Sequence, residues 1–224
     1  MTSDPHGHER ILSGGAPLSR ARLAMIMLHG RGGAPEDMLG LAEHLGLPDI
    51  AVRAPEAAGN SWWPDSFLAP LTRNEPGLSS ALTVVGKIAE QLKQDGFGPD
   101  RTVVLGFSQG ACLALEYAAR AGTQFACVAS LSGGLVGTKD GSGERQQALY
   151  DQVEKIFEYS GRLDGTPVLL GCHERDPHIP LARVKASEKV FSNLGANVTT
   201  QIYPGAGHGI VEDEIKALRS ILNT

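Results

Sequence analysis

Apolar residues recur along this chain in two rhythms. Short runs rich in Val, Ile, Leu and Met occupy 23–28, 50–53, 102–107, 126–131, 168–172 and 198–203, closely bounded by Gly, Pro or Asp. Runs of four to six residues without polar alternation predict strands buried on both faces. Between them the apolar spacing lengthens to three and four. Leu78, Ala81, Leu82, Val85, Ile88, Ala89 and Leu92 line one helical face, with Asn74 as its expected cap and Gly96 as its end. Leu149, Val153, Ile156 and Phe157 form a second stripe. Leu181, Val184, Phe191 and Leu194 form a third, and Ile215, Leu218 and Leu222 a fourth. Strands alternating with helices predict an α/β protein whose mostly parallel sheet is covered by helices on both faces. Only 56–75 and 133–147 are long irregular stretches, and no repeat or low-complexity linker divides the chain. The expected organisation is a partly flexible segment over 1–19 and one domain over 20–224, a size suited to a single core.

Charge and composition narrow the partners. A formal net charge of −5, with Lys and Arg scattered, gives no electrostatic reason to expect nucleic acid. Three widely spaced cysteines (Cys112, Cys127, Cys172) do not make a disulfide framework and suggest a reducing, cytoplasmic setting. The first ten residues lack the apolar core of a secretory signal, and no apolar run approaches a membrane span.

Chemistry enters where a strand meets glycine. In "MIMLHGRGGAPEDM" the run over 23–28 stops at His29 and breaks into a glycine loop, which offers backbone N–H groups to a negative charge. A phosphate is a poor candidate for that charge. The chain has no G-x-x-x-x-G-K-[ST] string, and the dinucleotide pattern begun by Gly30 and Gly32 meets Pro35, which has no N–H, in place of its third glycine. The alternative is an oxyanion formed during a reaction, and that needs a nucleophile.

"TVVLGFSQGACLALEYAA" supplies one. The strand over 102–107 runs into Gly106-Phe107-Ser108-Gln109-Gly110 and then into a helix rich in small residues, which is G-x-S-x-G in the strand–turn–helix setting that exposes a serine hydroxyl. Serine needs a base, and the base an orienting acid. In this architecture the order is Ser, acid, His, each on a loop after a strand. "HERDPHIP" follows 168–172 and "PGAGHGI" follows 198–203, so Asp176 and His208 fill those places. Glu174 and Asp164 are rival acids, though Asp164 precedes its strand and belongs at the opposite edge of the sheet. His178 is expected beside the site, and His6 and His8 in a mobile tail. The cluster His173, Glu174, Asp176 and His178 lacks H-E-x-x-H spacing and contains Pro177, so neither metal nor cofactor is expected. The strand ending at His29 should neighbour the elbow strand, making the backbone N–H groups of Arg31 and Gln109 the expected oxyanion donors. "NSWWPDSF" is the most aromatic stretch. Trp62, Trp63 and Phe67 either pack a long connection or wall the substrate pocket.

"LHGRGGAPEDM", "GFSQGACLALEYA", "ERDPHIP" and "YPGAGHGI", in this order, resemble the small carboxylesterase/phospholipase family of α/β-hydrolases, which includes the acyl-protein thioesterases. The resemblance runs from about residue 20 to the end. It implies the α/β-hydrolase fold without a separate cap domain, a serine esterase needing no cofactor, the triad Ser108, Asp176 and His208, and oxyanion donors Arg31 and Gln109. Arg31 departs from the eukaryotic thioesterases, which have an apolar residue after His-Gly, and the "GFSQGAC" and "WWPDSF" segments are closer to the bacterial esterase branch. The expected function is hydrolysis of short- to medium-chain carboxylic esters through an acyl-enzyme. A lysophospholipase or acyl-protein thioesterase is the alternative, and a non-catalytic hydrolase-fold binding protein is the alternative of another class. Expected partners are a small-molecule ester and, at most, a second copy in a homodimer.

Overall fold

The computed structural model describes residues 4–223. In chain order the strands and helices are β1 (Ile11–Gly15), β2 (Leu23–Leu28), α1 (Pro35–Leu45), β3 (Ile50–Pro55), α2 (Gly77–Gln94), β4 (Thr102–Phe107), α3 (Gln109–Ala121), β5 (Cys127–Leu131), the two-residue strands β6 (Arg145–Gln146) and β7 (Gln152–Val153), β8 (Pro167–Arg175), α4 (Leu181–Asn193), β9 (Asn197–Ala206) and α5 (Glu212–Leu222). The main sheet has seven strands in the order β1-β3-β2-β4-β5-β8-β9. Its neighbours are parallel except β1, which pairs antiparallel with β3. This is the α/β-hydrolase arrangement.

The side-chain alternation of the strands divides the core. Ala24, Ile26 and Leu28 of β2 join Val104, Val128 and Leu170 in one cluster with α2, α3 and α4. Leu23, Met25 and Met27 join Val103, Leu105 and Leu169 in the other, with α1 and α5. Because both faces are covered, every residue of β2 and β5 is buried, which is why these strands read as unbroken apolar runs. Each fully buried Leu- or Ile-sized side chain contributes about 1.5–3 kcal/mol relative to exposure.

Several expectations change. The run over 198–203 falls in β9, an edge strand that is buried at no position, not a strand covered on both faces. The stripe at 149–157 is not a helix. Its backbone forms a 3-10 turn at Gln147–Leu149, passes through positive φ at Tyr150 (55°) and Asp151 (60°), and closes the β6–β7 ribbon; Ile156 is 84% exposed. Buried charges replace helical packing here. Arg183 of α4 donates to the carbonyls of Leu135 and Gly137 and to Glu154, while Glu116 of α3 accepts from the Val136 amide and the Tyr159 hydroxyl. Asn74 does not cap α2, which starts after Pro76. Its buried amide accepts from the Asp65 N–H and donates to the Ser66 carbonyl.

Nor does residue 20 bound the packed chain. β1 zips onto β3 from Ile11↔Pro55 to Gly15↔Ala51, and His6 is 3% exposed, not in a mobile tail. Its backbone N–H donates to Ser80 Oγ, its Nε2–H to the Trp62 carbonyl, and its Nδ1 accepts from the Ala58 N–H. An edge strand reading ILSGG carries too little apolar signal to be seen in advance. Among the described residues no helix is long and apolar enough to cross a membrane.

Candidate active site

Sheet register brings the chemistry-bearing residues to one edge. Leu28 pairs with Gly106 across β2 and β4, and Phe107 with Leu131 across β4 and β5, so His29 and Ser108 leave adjacent strands at the same level. Arg175 pairs with Ala206 across β8 and β9, so the loops carrying Asp176 and His208 start side by side.

Ser108 links β4 to α3 with φ 53° and ψ −117°, a conformation L-residues avoid and one that stores about 1–3 kcal/mol of strain. Its N–H donates to the Leu131 carbonyl (2.9 Å) and its carbonyl accepts from the Cys112 N–H (3.0 Å), so the turn is fixed at both ends. The flanking glycines have steric causes. A Cβ on Gly106 would lie 2.1 Å from the Gly110 carbonyl oxygen, and one on Gly110 would lie 2.0 Å from that of Leu28.

A chain of hydrogen bonds leads from the serine. Its Oγ is 2.8 Å from His208 Nε2, and His208 Nδ1 is 2.8 Å from Asp176 Oδ2. The second oxygen of Asp176 accepts the backbone N–H groups of His178 (2.8 Å) and Ile179 (3.0 Å). Burial would raise the Asp176 pKa, but the hydrogen bond from His208 and the two amides outweigh it and hold the carboxyl below its ordinary value. An ionised Asp176 accepts the His208 Nδ1–H, leaving Nε2 to accept the serine proton. The ring of His208 lies between Phe107 (centroids 5.3 Å apart) and His178 (4.8 Å, edge-on). His178 is thus a neighbour, as expected from the sequence. The rival acids lie elsewhere. Asp164 is exposed and ion-paired with Arg162, and Glu174 with Arg175.

Among the described residues, the backbone N–H groups of Arg31 and Gln109 donate to nothing. The loop holding the first is built by His29, a residue the sequence shows only as the end of a strand. Its buried imidazole donates Nδ1–H to the Gly30 carbonyl (2.8 Å) and accepts the Ala57 N–H at Nε2 (3.0 Å). Burial lowers its pKa, so it stays neutral and locked in one tautomer. Gly32 N–H reaches the Asn60 carbonyl (2.7 Å), and Asn60 Nδ2 reaches that of Gly33 (2.9 Å). The side chains of Arg31 and Gln109 are engaged too. Arg31 donates to the carbonyls of Trp63, Pro64 and Asp65, and Gln109 bonds the Trp62 N–H and the Trp63 carbonyl.

A cavity of about 530 Å³ opens beside Ser108, with Trp63, Pro64, Phe67, Phe107, Cys112 and Ile179 as its apolar walls. Trp63 and Phe67 therefore face it, whereas Trp62 does not. Trp62 is fully buried, donates Nε1–H to the His29 carbonyl (2.9 Å), and packs on the rings of His6 and His29. Trp63 is equally buried (1% exposed) but lies on the side of the segment that lines the cavity. Cys112 is buried, and its thiol is pushed up to about 12, so it lines the cavity as an inert apolar group. A groove of similar volume between β1 and α1, walled by Leu39, Leu45, Leu47 and Ile50, shares no residue with this cavity.

Comparisons with known proteins agree with this architecture. The family model described as phospholipase/carboxylesterase matches residues 7–224. The crystal structure of a phospholipase/carboxylesterase from Dyadobacter fermentans superposes with a TM-score of 0.85 at 35% identity, covering 96% of this chain and 97% of that one. Acyl-protein thioesterase 1 of Saccharomyces cerevisiae is 25% identical, over 92% of this chain and 94% of its own length. Its namesake from Gibberella zeae is 28% identical over 68% of this chain, a match spanning 60% of that protein. The chain belongs to the phospholipase/carboxylesterase family and is an ester hydrolase of the α/β-hydrolase fold.

Proposed function

We propose that the protein is a serine esterase that cleaves short- to medium-chain carboxylic esters through an acyl-enzyme on Ser108. The observation that carries this reading is the continuous chain Ser108 Oγ, His208, Asp176, with both links 2.8 Å long, at the floor of an apolar cavity. His208 Nε2 takes the serine proton as Oγ attacks the carbonyl carbon. Asp176 holds the imidazole by Nδ1 and stabilises its charged form. The negative oxygen of the tetrahedral intermediate is received by the Arg31 and Gln109 N–H groups, helped by the amino terminus of α3. His208 passes its proton to the departing alcohol. Water then enters, gives its proton to the same nitrogen, and releases the acid while Ser108 Oγ regains a proton.

The test is labelling with a fluorophosphonate, which phosphonylates an activated serine. Wild-type protein should be labelled at Ser108 and lose esterase activity in step, while Ser108→Ala takes no label. Labelling elsewhere, or none, overturns the assignment. The fungal relatives named acyl-protein thioesterase 1 support a second reading, cleavage of long-chain thioesters. Comparing p-nitrophenyl butyrate with a palmitoyl thioester separates the two.

A further inference from the structure

Both residues whose N–H groups are assigned to the oxyanion also grip one short segment with their side chains. Arg31 Nη1 donates to the Pro64 carbonyl (2.8 Å), and Nη2 to those of Trp63 (3.0 Å) and Asp65 (2.6 Å). Gln109 Nε2 donates to the same Trp63 carbonyl (2.9 Å), and its Oε1 accepts the Trp62 N–H (2.9 Å). Ser61 Oγ completes the convergence on the Trp63 carbonyl at 2.8 Å. The segment that receives these bonds also carries the cavity wall, because Trp63, Pro64 and Phe67 line it. It is anchored from behind by Trp62 on His29 and by Asn74 on Asp65 and Ser66.

Resting on the serine-esterase reading, we infer that the Arg31 side chain is a positioning residue for the oxyanion hole. By bridging to the carbonyls of residues 63–65 it sets where its own N–H points, relative to the N–H of Gln109, and couples that geometry to the pocket wall. Its guanidinium has no carboxylate partner among the described residues, and Asp65 is paired with Arg73 instead. Three planar donations to carbonyls give it a geometric role that a single ammonium group reproduces poorly. Without them the Arg31 loop, whose next residue is Gly32 at φ 77°, is tied to the 57–62 stretch only through His29, Gly32 and Gly33, and among the described residues nothing holds Arg31 itself to the wall. Oxyanion donors act through preorganisation, and losing one costs about 10²–10³ in rate, so loosening one should cost on the order of tenfold.

The measurements use full-length Arg31→Met, which keeps the stem without donors, and Arg31→Lys. A simple alkylboronic acid reports on the hole directly: boron accepts the Ser108 Oγ lone pair, His208 takes the hydroxyl proton, and a boron-bound oxygen takes the oxyanion's place. Arg31→Met should lower kcat/KM for p-nitrophenyl butyrate roughly tenfold through kcat, with KM within about twofold, and weaken boronate inhibition by the same factor. Arg31→Lys should fall between Met and wild type in both. Comparison of Tm values separates this from general loosening. A rate within twofold of wild type for Arg31→Met overturns the inference, as does a loss that follows Tm while boronate affinity stays put. If Arg31→Met alone fails to fold, Arg31→Lys decides by the same criterion of matched losses. A wild-type protein that is active and boronate-sensitive with an unaltered Arg31→Met sinks only this inference; one that neither hydrolyses esters nor binds boronate sinks the esterase reading with it.

Discussion

At the scale of single residues, Ser108 concentrates the conflict between stability and chemistry. Its φ of 53° is tolerated because β4 must reverse into α3 within one residue for Oγ to stand clear of the sheet. Glycine adopts this conformation freely and alanine does not. Ser108→Gly and Ser108→Ala should therefore both be inactive, yet the Gly variant should be the more stable by about 1 kcal/mol in chemical denaturation. Equal stabilities would show that the turn is unstrained. On the kinetic side, Ser108→Ala and His208→Ala should each lower kcat by on the order of 10⁴ or more, and the double variant should lose little further, since neither group works without the other. Asp176→Asn should also be severe, because an amide can donate to Nδ1 and favour the wrong tautomer. Additive losses in the double variant would count against a serine–histidine unit.

At the scale of elements, two buried ionisable side chains hold the framework of the site. Glu214 lies in the first turn of α5, six residues after His208. One of its oxygens accepts the Val211 N–H (2.9 Å), and the other has no partner among the described residues and sits against Gly171. Burial raises its pKa from an ordinary 4.5 to about 7. Between those values the folded protein keeps a proton that the unfolded chain has lost. The stabilisation is therefore complete below about pH 4.5 and drains away as pH rises towards 7, amounting to about 3 kcal/mol at most. Glu214→Gln should remove this dependence. Its Tm relative to wild type should climb between pH 5 and 7.5 and level off above, and a flat difference would contradict the protonated carboxyl.

Arg183 of α4, ion-paired with Glu154, is the other. Replacing it with Met leaves the Leu135 and Gly137 carbonyls without a donor and Glu154 without its ion pair, for a loss of about 3–5 kcal/mol. Limited proteolysis should then cut first within 138–157. Cleavage elsewhere would mean that the loop is held by other means.

At the scale of the whole molecule, the cavity and its walls decide what enters. Of the two long irregular segments, 56–75 supplies the wall through residues 63–67 and 133–147 lines none of it, and among the described residues no separate cap domain covers Ser108. In a cavity of about 530 Å³ each methylene that finds apolar wall should contribute about 0.8 kcal/mol, roughly fourfold in kcat/KM. Rates on p-nitrophenyl esters should climb over the first few carbons and fall for long chains. Trp63→Ala should flatten the climb. Both tryptophans are fully buried, so each Ala variant should destabilise the fold by about 3–5 kcal/mol, but Trp62→Ala should leave the chain-length profile unchanged. A profile rising to palmitate would favour the long-chain thioester reading.

The division between what could be read in advance and what could not follows from the range of the forces involved. Local sequence determined the five interior strands of the main sheet, because a strand buried on both faces must be apolar throughout; β9, which also read as an apolar run, lies at an edge and is buried at no position. It also marked the elbow at Ser108 through G-x-S-x-G, although only Gly106 is required by contacts within the turn; Gly110 is required by the Leu28 carbonyl of the neighbouring β2. Chain order alone picked out Asp176 and His208, since the loops that follow β8 and β9 leave the sheet together. Other features have no local cause. The edge strand β1 is half exposed and is defined only by its pairing with β3. The apolar residues at 149–157 mimic a helix, but positive φ at Tyr150 and Asp151 and the buried Arg183, more than 25 residues away, impose another path. His6 and Trp62 were indistinguishable from a tail residue and a pocket wall until packing put them against each other. Nothing local marks the partners of the Arg31 side chain, which are three carbonyls more than 30 residues further along. Patterns of burial and steric necessity act over a few residues and are written in the sequence; hydrogen bonds between distant segments exist only once the sheet has brought them together.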